Sequence, residues 1–260
     1  SEASEVAYLQ GCFDEMEQLV EVVLDRAKTV VDKVQAYDSR IQGYLSQGNL
    51  KEALKTGSEA LKLLGLDLIE DPSQADVQRE LKSTSALLVE REIEDLINLP
   101  KMTAPEPLAA MYILANILGA AYTVSSELMM LIACKMVNLS INYGNATWSP
   151  PSYAAYGFVL CGVVQDIELG YKFGQLALSL VEPLDAQKGK AKALQIFSEN
   201  VMQWKVHLRK VIPFLVETYQ NGVETGDFEF AGYSAYYACH HSFFVGESLT
   251  QLEQKTATYS

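Results

Sequence analysis

The sequence predicts an all-α protein built as a stack of antiparallel helical hairpins, an α-α superhelix of about ten helices. Apolar residues recur at three- and four-residue spacing in nearly every window, and no segment shows the strict alternation of a strand. Ala, Leu, Glu, Gln and Lys are plentiful, and only 8 of 260 residues are Pro. A spacing of small residues that three hairpins share predicts the stacking.

The first third of the chain contains three predicted helices. An apolar stripe opposite charged residues predicts one amphipathic helix over residues 16–47. A second helix is expected over about 50–64, with Gly65 as its C-terminal cap. The stretch from Asp71-Pro72 to the residue before Pro100 predicts one long helix, because Asp-Pro suits a cap and first turn.

The remaining helices are separated by Asp, Pro, Gly or Ser. A helix is expected over roughly 107–124, and another begins after the cap Ser126 and stops at Gly144. The stretch "NATWSPPS" is a break. Further helices are predicted over 153–164, 167–181, 185–211, 214–224 and 228–249.

Three turns share a pattern of small residues. The segments "LSQGNLKEALKTGSEAL", "CGVVQDIELGYKFGQLAL" and "NGVETGDFEFAGYSAYYA" each have a polar turn, an apolar residue and then small residues at spacings of three or four. This spacing places the small residues on one helix face, where a neighbouring helix can approach closely. The predicted repeat-packing residues are Ala53, Gly57, Ala60, Gly170, Gly174, Ala177, Ala231, Ala235 and Ala238.

This arrangement is typical of the tetratricopeptide repeat, although the turns do not follow a strict period of about 34 residues. The sequence therefore predicts a single degenerate, tetratricopeptide-like domain over residues 1–260, with a curved, open surface. The alternative is a one-off α-helical bundle in which small residues fill the helix crossings.

Charge argues against nucleic-acid binding. The net charge is −13 and the pI is about 4.7, whereas phosphate binding requires clustered Lys and Arg. The richest basic cluster, Lys188, Lys190 and Lys192, follows a Pro turn and is expected to solubilise a helix start or to contact an acidic partner.

The cysteines predict a reducing, cytoplasmic setting, because all four are scattered among apolar neighbours without a CxxC pair. They are Cys12, Cys134, Cys161 and Cys239. The most apolar stretch, "LAAMYILANILGAA", is interrupted by Asn116 and is too short to cross a bilayer, so we expect a core helix and no membrane contact. A start without Met suggests a segment of a larger chain.

No catalytic or cofactor motif stands out. Gly189-Lys190 lacks the first glycine of a phosphate-binding loop and the Ser or Thr that follows its lysine. Cys239, His240 and His241 are adjacent on a helix and point about 100° apart, so they are not expected to converge on a metal ion. The acidic run at 92–95 is expected to be a solvated face. We expect no enzyme activity, cofactor or metal.

Four segments resemble the helical region of large bacterial, especially cyanobacterial, multi-domain signalling kinases. They are "YDSRIQGYLSQGNLKEALKTG", "GFVLCGVVQDIELGYKFGQLAL", "QWKVHLRKVIPFLVETYQNGVETGDFEFA" and "YYACHHSFFVG". In such proteins this region accompanies a serine/threonine kinase-like domain, an AAA-type (STAND-like) ATPase, a GAF domain and a histidine kinase. The resemblance implies a regulatory or sensory module between a nucleotide-driven switch and phosphotransfer.

Aromatic residues are the candidate binding residues, because flat rings with polar edges provide contact area in a groove. Packing in the core is the alternative role for the same rings. The candidate groove and partner-binding residues are Trp148, Tyr153, Tyr156, Trp204, His207, Tyr233, Tyr236, Tyr237 and His240.

Three functions remain open on the sequence. The first is a non-enzymatic interaction and sensory module of a signalling kinase that holds a protein, a peptide, another domain of the same chain or a small molecule. The second is the ligand-sensing arm of a STAND-type transcriptional activator. The third is an all-α enzyme.

Overall fold

The computed structural model describes residues 2–259 and confirms the all-α prediction. Within these residues there are thirteen α-helices, two 3-10 helices and one π-helical turn, and no strand forms beyond one isolated bridge between Lys101 and Asn145. The helices outnumber the expected ten because α1 precedes the first predicted helix, and because the predicted helices 16–47 and 228–249 each form two helices.

The helices fall into two compact units. The first unit runs to Val89 and resumes over Pro100–Ala146, and the second comprises Glu90–Leu99 and the chain from Thr147 onward. A single domain and an open superhelix stay predictions. The first unit contains α1 (Glu2–Leu9), α2 (Phe13–Arg26), α3 (Val30–Ser46), α4 (Leu50–Leu63), α5 (Gln74–Leu88), α6 (Pro105–Val124) and α7 (Ser126–Tyr143).

The second unit begins with a 3-10 helix at Ile93–Asn98 and contains the remaining helices. They are α8 (Ser149–Val159), the π turn Leu160–Val164, α9 (Ile167–Ser179), α10 (Gln187–Asn200), the 3-10 helix Met202–Trp204, α11 (Leu208–Thr225), α12 (Phe228–Phe244) and α13 (Leu249–Thr258).

Helix α6 forms the centre of the first unit. It packs against α3, α4 and α7, and most residues of its middle turns are buried. Among the described residues it is the one helix that is long and apolar enough to cross a bilayer, but 56% of its apolar window is buried in the fold. A core helix of this kind passes the same test of length and composition.

A polar contact ties α6 to α3. Asn116, the polar interruption of the apolar stretch, donates from Nδ2 to Oδ1 of Asp38 at 2.7 Å, and the Tyr112 hydroxyl donates to Oδ2 at 2.7 Å. Burial raises the pKa of Asp38 even though these hydrogen bonds oppose the shift. The carboxylate is therefore held in a desolvated position by two donors from one helix.

All nine predicted packing residues are buried. A Cβ at Gly57 would lie 2.8 Å from Cγ2 of Ile117, and one at Gly174 would lie 2.2 Å from Cδ2 of Phe197. At Gly170 a Cβ would lie 2.5 Å from Sγ of Cys161. These glycines therefore sit where the α4–α6, α9–α10 and π turn–α9 contacts leave no room for a side chain.

Three long helices were predicted as continuous, and this prediction is wrong because each is interrupted in the structure. The predicted helix 16–47 is two helices, α2 and α3, because Thr29 caps α3 and forms a capping box with Asp32. The predicted helix that ends before Pro100 stops at Leu88 and continues as the 3-10 helix. The predicted helix 185–211 breaks after Asn200, and α11 starts at Leu208.

Two other predicted boundaries are also wrong. Helix α11 includes Pro213 rather than beginning after it, at the loss of one backbone hydrogen bond. The predicted last helix, 228–249, ends at Phe244, where Gly246 turns the chain with a φ of +79°, and a separate helix α13 follows.

Candidate binding surface on helix α12

Helix α12 buries mainly small residues and leaves most of its aromatic rings accessible. Asp227 caps its start by accepting from the backbone N–H of Phe230 at 3.4 Å, and Gly226, with a φ of +77°, turns the chain back from α11. The buried residues are Phe230, Ala231, Ser234, Ala235, Ala238, His241 and Ser242. The other faces carry aromatic rings that neighbouring helices leave accessible.

The accessible rings form a continuous row. The Tyr236 and His240 rings stack with centroids 5.6 Å apart, and His240 meets Phe244 edge to face at 4.6 Å. Phe243 and Phe244 are 5.7 Å apart. The exposed fractions are 60% for Tyr236, 56% for Phe243 and 62% for Phe244. We call Tyr236, His240, Phe243 and Phe244 the aromatic ladder.

A groove of about 460 Å³ runs beside the aromatic ladder, between α12 and α13. Its two walls come from residues spaced three, four or seven apart on the two helices, so each wall is one helix face. The lining residues are Ala235, Tyr236, Cys239, His240, Phe243, Leu252, Thr256 and Tyr259.

Contacts to α11 and to the end of α12 hold α13 in place. The Tyr259 ring meets Tyr219 of α11 at 4.6 Å, and burial raises the pKa of Tyr259. Nζ of Lys255 donates to Oγ of Ser242 at 2.6 Å and pairs with Glu247 at 2.8 Å. The hydrogen bond from Lys255 lowers the pKa of Glu247. The groove therefore has a fixed second wall.

A buried acid–base pair lies under the aromatic ladder. Nε2 of His241 is 2.7 Å from Oε2 of Glu199 on α10, and the side chains are 4% and 11% exposed. The two atoms are in close contact, but the contact does not meet the geometry of a hydrogen bond. Because His241 follows His240, the buried position of His241 is consistent with the outward position of His240 on α12.

A second polar group lies near the start of α12. Nζ of Lys192 lies 5.0 Å from the Phe230 ring centroid and 5.8 Å from that of Trp148. Burial lowers the pKa of Lys192 and raises those of Asp227 and Glu229, although the opposite charges resist both shifts. Trp148 thus packs around a lysine and is half-buried.

The prediction that Tyr153 and Tyr156 line a groove is wrong. Tyr153 is fully buried and Tyr156 is 2% exposed. Both rings contact Phe173 of α9, at 5.9 and 5.0 Å. The close α8–α9 contact, where a Cβ at Gly157 would lie 2.6 Å from the Gly170 oxygen, encloses them in the core.

The other predicted residues occupy separate positions in the second unit. Tyr233 is 48% exposed and contacts Phe230 one turn before the aromatic ladder, and Tyr237 is half-buried between Tyr236 and His241. Trp204 is 48% exposed on the turn before α11. His207 is exposed and caps α11, where its Nδ1 accepts from the backbone of Arg209 at 3.2 Å.

The sequence prediction missed one wall of the groove. Phe243, Phe244 and Cys239 belong to the site, as do Leu252, Thr256 and Tyr259 of α13. A signal for α13 was present, because Ser248 is followed three residues later by Gln251, the spacing of a capping box. In the structure Ser248 accepts from the Gln251 backbone at 3.3 Å.

The side chains of this surface are suited to packing against another molecule, and they do not form a cluster of polar groups that converge on one point. Within residues 2–259, no three His, Cys, Asp or Glu side chains are grouped so as to hold a metal ion. The aromatic ladder and the groove provide flat rings, a thiol and hydroxyl groups at the rim. These groups suit association with another apolar surface.

The fold and this surface are those of an all-α module with an exposed aromatic face. No family model matches the chain, and no solved structure matches it. The whole chain is similar to a segment of hybrid signal transduction histidine kinase G of Dictyostelium discoideum, with 23% identity over 278 aligned positions. The chain spans 8% of that protein. This distant similarity indicates a signalling-protein context.

Proposed function

We propose that this chain is a tetratricopeptide-like, cytoplasmic interaction module of a multi-domain signalling kinase, without enzyme activity of its own. The aromatic ladder and the adjoining groove receive a segment of protein, from another domain of the same polypeptide or from a partner. The similarity over the whole chain to part of a histidine kinase supports the setting. The observation that carries the proposal is the aromatic ladder.

Helix α12 is apolar on all its faces, which is typical of a helix that is covered all round. In this chain, its ladder face stays accessible. Covering about 100 Å² of one such ring contributes about 2.5 kcal/mol at about 25 cal/mol per Å². A partner that covers the aromatic ladder therefore gains free energy without new charged contacts.

Binding would act on signalling through a change of equilibrium. A partner that contacts the aromatic ladder in one arrangement of the parent protein, and leaves it open in another, shifts the population toward the first. The coupling equals the difference in binding free energy between the two arrangements. The neighbouring ATPase or kinase domain is the expected recipient of this shift.

The test is Phe244→Glu in the full signalling polypeptide, with autophosphorylation as the readout. Phe244 is 62% exposed, so the charge is tolerated in the folded chain but disfavours burial against a partner. The matched control is Tyr143→Glu, at an exposed ring (51%) of α7. We expect a change of about fivefold or more for Phe244→Glu alone, within the usual range of allosteric coupling. Equal output from both variants and the parent contradicts the proposal.

A further inference from the structure

We infer that the aromatic ladder of α12 is a self-association surface, which pairs with the aromatic ladder of a second copy of this chain. The inference rests on the proposed function, since it names the partner at the same surface. Three observations carry it: the area of the exposed rings, the absence of charge around them, and their order along the helix.

The first observation is area. The exposed parts of Tyr236, Phe243 and Phe244 amount to roughly 350 Å² per chain, taking about 200 Å² for a whole side chain. Two copies thus bury about 700 Å² through these rings alone. His240 and the groove walls on α13 supply the rest of the about 1,000 Å² that a specific interface needs.

The second observation is charge. The chain carries a net charge of −13, so two copies repel each other over most of their surface. From Gly232 to Val245 the sequence contains no Asp, Glu, Lys or Arg, and none lines the groove. The charges at the end of this stretch are engaged within the chain, because Glu247 pairs with Lys255 and Arg209 donates to the Val245 oxygen at 2.8 Å. In a two-fold dimer the same patch faces itself, so an uncharged patch avoids like-charge contacts.

The third observation is the order of the rings. His240 lies midway between Tyr236 and Phe244, four residues from each, and contacts both. An antiparallel pair of α12 helices with its two-fold axis near His240 places Tyr236 of each copy against Phe244 of the other. Each residue then has its counterpart in the second copy, as an isologous interface requires.

The groove beside the aromatic ladder offers further contacts to the second copy. An incoming α12 that lies along the aromatic ladder also borders the groove beside it, whose far wall is α13. Leu252 and Tyr259 on that wall provide an apolar surface for the incoming Phe243. The second copy therefore contacts two helices of the first, which fixes the direction in which it lies.

Light scattering and sedimentation of the 260-residue chain test this pairing from about 1 to about 200 μM, the range of weak and moderate interfaces. We expect the mass to rise from 28.8 kDa toward twice that value. Phe244→Glu and Tyr236→Lys should each weaken association at least about tenfold, whereas Tyr143→Glu should leave it unchanged. Circular dichroism verifies that each variant keeps its helix content.

Mixing Phe244→Glu with Tyr236→Lys tests the antiparallel register. In the predicted pairing the new Glu of one copy faces the new Lys of the other, so the mixture should associate although each variant alone does not. A wild-type chain that stays monomeric at about 200 μM overturns the inference. Equal weakening by Tyr143→Glu also overturns it, and so does a mixture that stays monomeric when the wild type associates.

These results are distinguishable from failure of the proposed function. If the wild type is monomeric but Phe244→Glu still alters autophosphorylation of the full polypeptide, the self-association is wrong and another domain or partner covers the aromatic ladder. If the autophosphorylation is also unchanged, both proposals are wrong.

Discussion

Replacing Gly174 by Ala tests whether small residues set the spacing of the helices. Gly174 lies on α9 where α10 crosses it, and an added Cβ would lie 2.2 Å from Cδ2 and 2.5 Å from Cε2 of Phe197. Phe197 cannot move aside freely, because it is 3% exposed and its ring contacts Tyr171 at 5.6 Å. The two helices must therefore separate or the ring must leave its rotamer.

The expected change in the free energy of unfolding is the sum of two opposing effects. Overpacking a core costs about 1–3 kcal/mol, while Gly to Ala in a helix interior gains about 1 kcal/mol. We expect Gly174→Ala to lower the free energy of unfolding by up to about 2 kcal/mol, which places it about 1–3 kcal/mol below a variant that gains the same helix propensity without the clash. The matched control is Gly232→Ala on α12, where an added Cβ meets nothing within 4 Å. This control should raise the free energy of unfolding by about 1 kcal/mol.

Urea unfolding followed by tryptophan fluorescence is the assay. Both tryptophans, Trp148 and Trp204, lie in the second unit, so fluorescence reports the unit that contains Gly174. Circular dichroism reports the helix content of the whole chain. A Gly174→Ala variant as stable as Gly232→Ala would refute the reasoning, because the α9–α10 contact would then have room for a methyl group.

Three further predictions concern buried groups. Glu199→Ala leaves His241 buried without its carboxylate and should lower the free energy of unfolding by about 3 kcal/mol in the same urea assay; an unchanged midpoint would contradict the pairing. Because burial raises the pKa of Asp38 above its unfolded value of about 3.9, the folded chain releases this proton at a higher pH. The unfolding free energy should fall as pH rises from about 4 through the raised pKa, and Asp38→Asn should remove that slope. Burial raises the pKa of the Cys161 thiol to about 11, so a thiol reagent at about pH 8 should modify exposed Cys12 in the native chain and Cys161 only after unfolding.

The fold class was predictable because helical periodicity is a local property. The breaks within predicted helices were harder to predict, because the apolar stripe continues across them. At Thr29 a capping signal with Asp32 was present but competed with that stripe. After Asn200 the chain has neither Gly nor Pro, and the break depends on burial of Val201 and Met202 in the core. Such tertiary contacts cannot be read from a window of sequence.

The aromatic residues of the site were predictable as a group, but their exposure was not. On most helices the larger apolar residues point inward, whereas on α12 small residues such as Ala231 and Ala238 face the core and most of the rings face outward. Both faces are apolar, so periodicity cannot tell which is buried. In the observed rotation His241 contacts Glu199, a residue 42 positions earlier in the chain (241 minus 199), so the packing of this face involves distant residues. For Tyr153 and Tyr156 the same ambiguity led to a wrong prediction, because α8 buries both rings.

A photocrosslinking side chain in place of Phe244 tests the central claim most directly. The modified chain is mixed with an isotope-labelled copy, irradiated, and digested for mass spectrometry. We predict that the crosslink joins position 244 to the α12 segment around Tyr236 of the labelled copy. Crosslinks confined to a single copy, or to segments other than α12 and α13, would contradict the claim that the aromatic ladder pairs with itself.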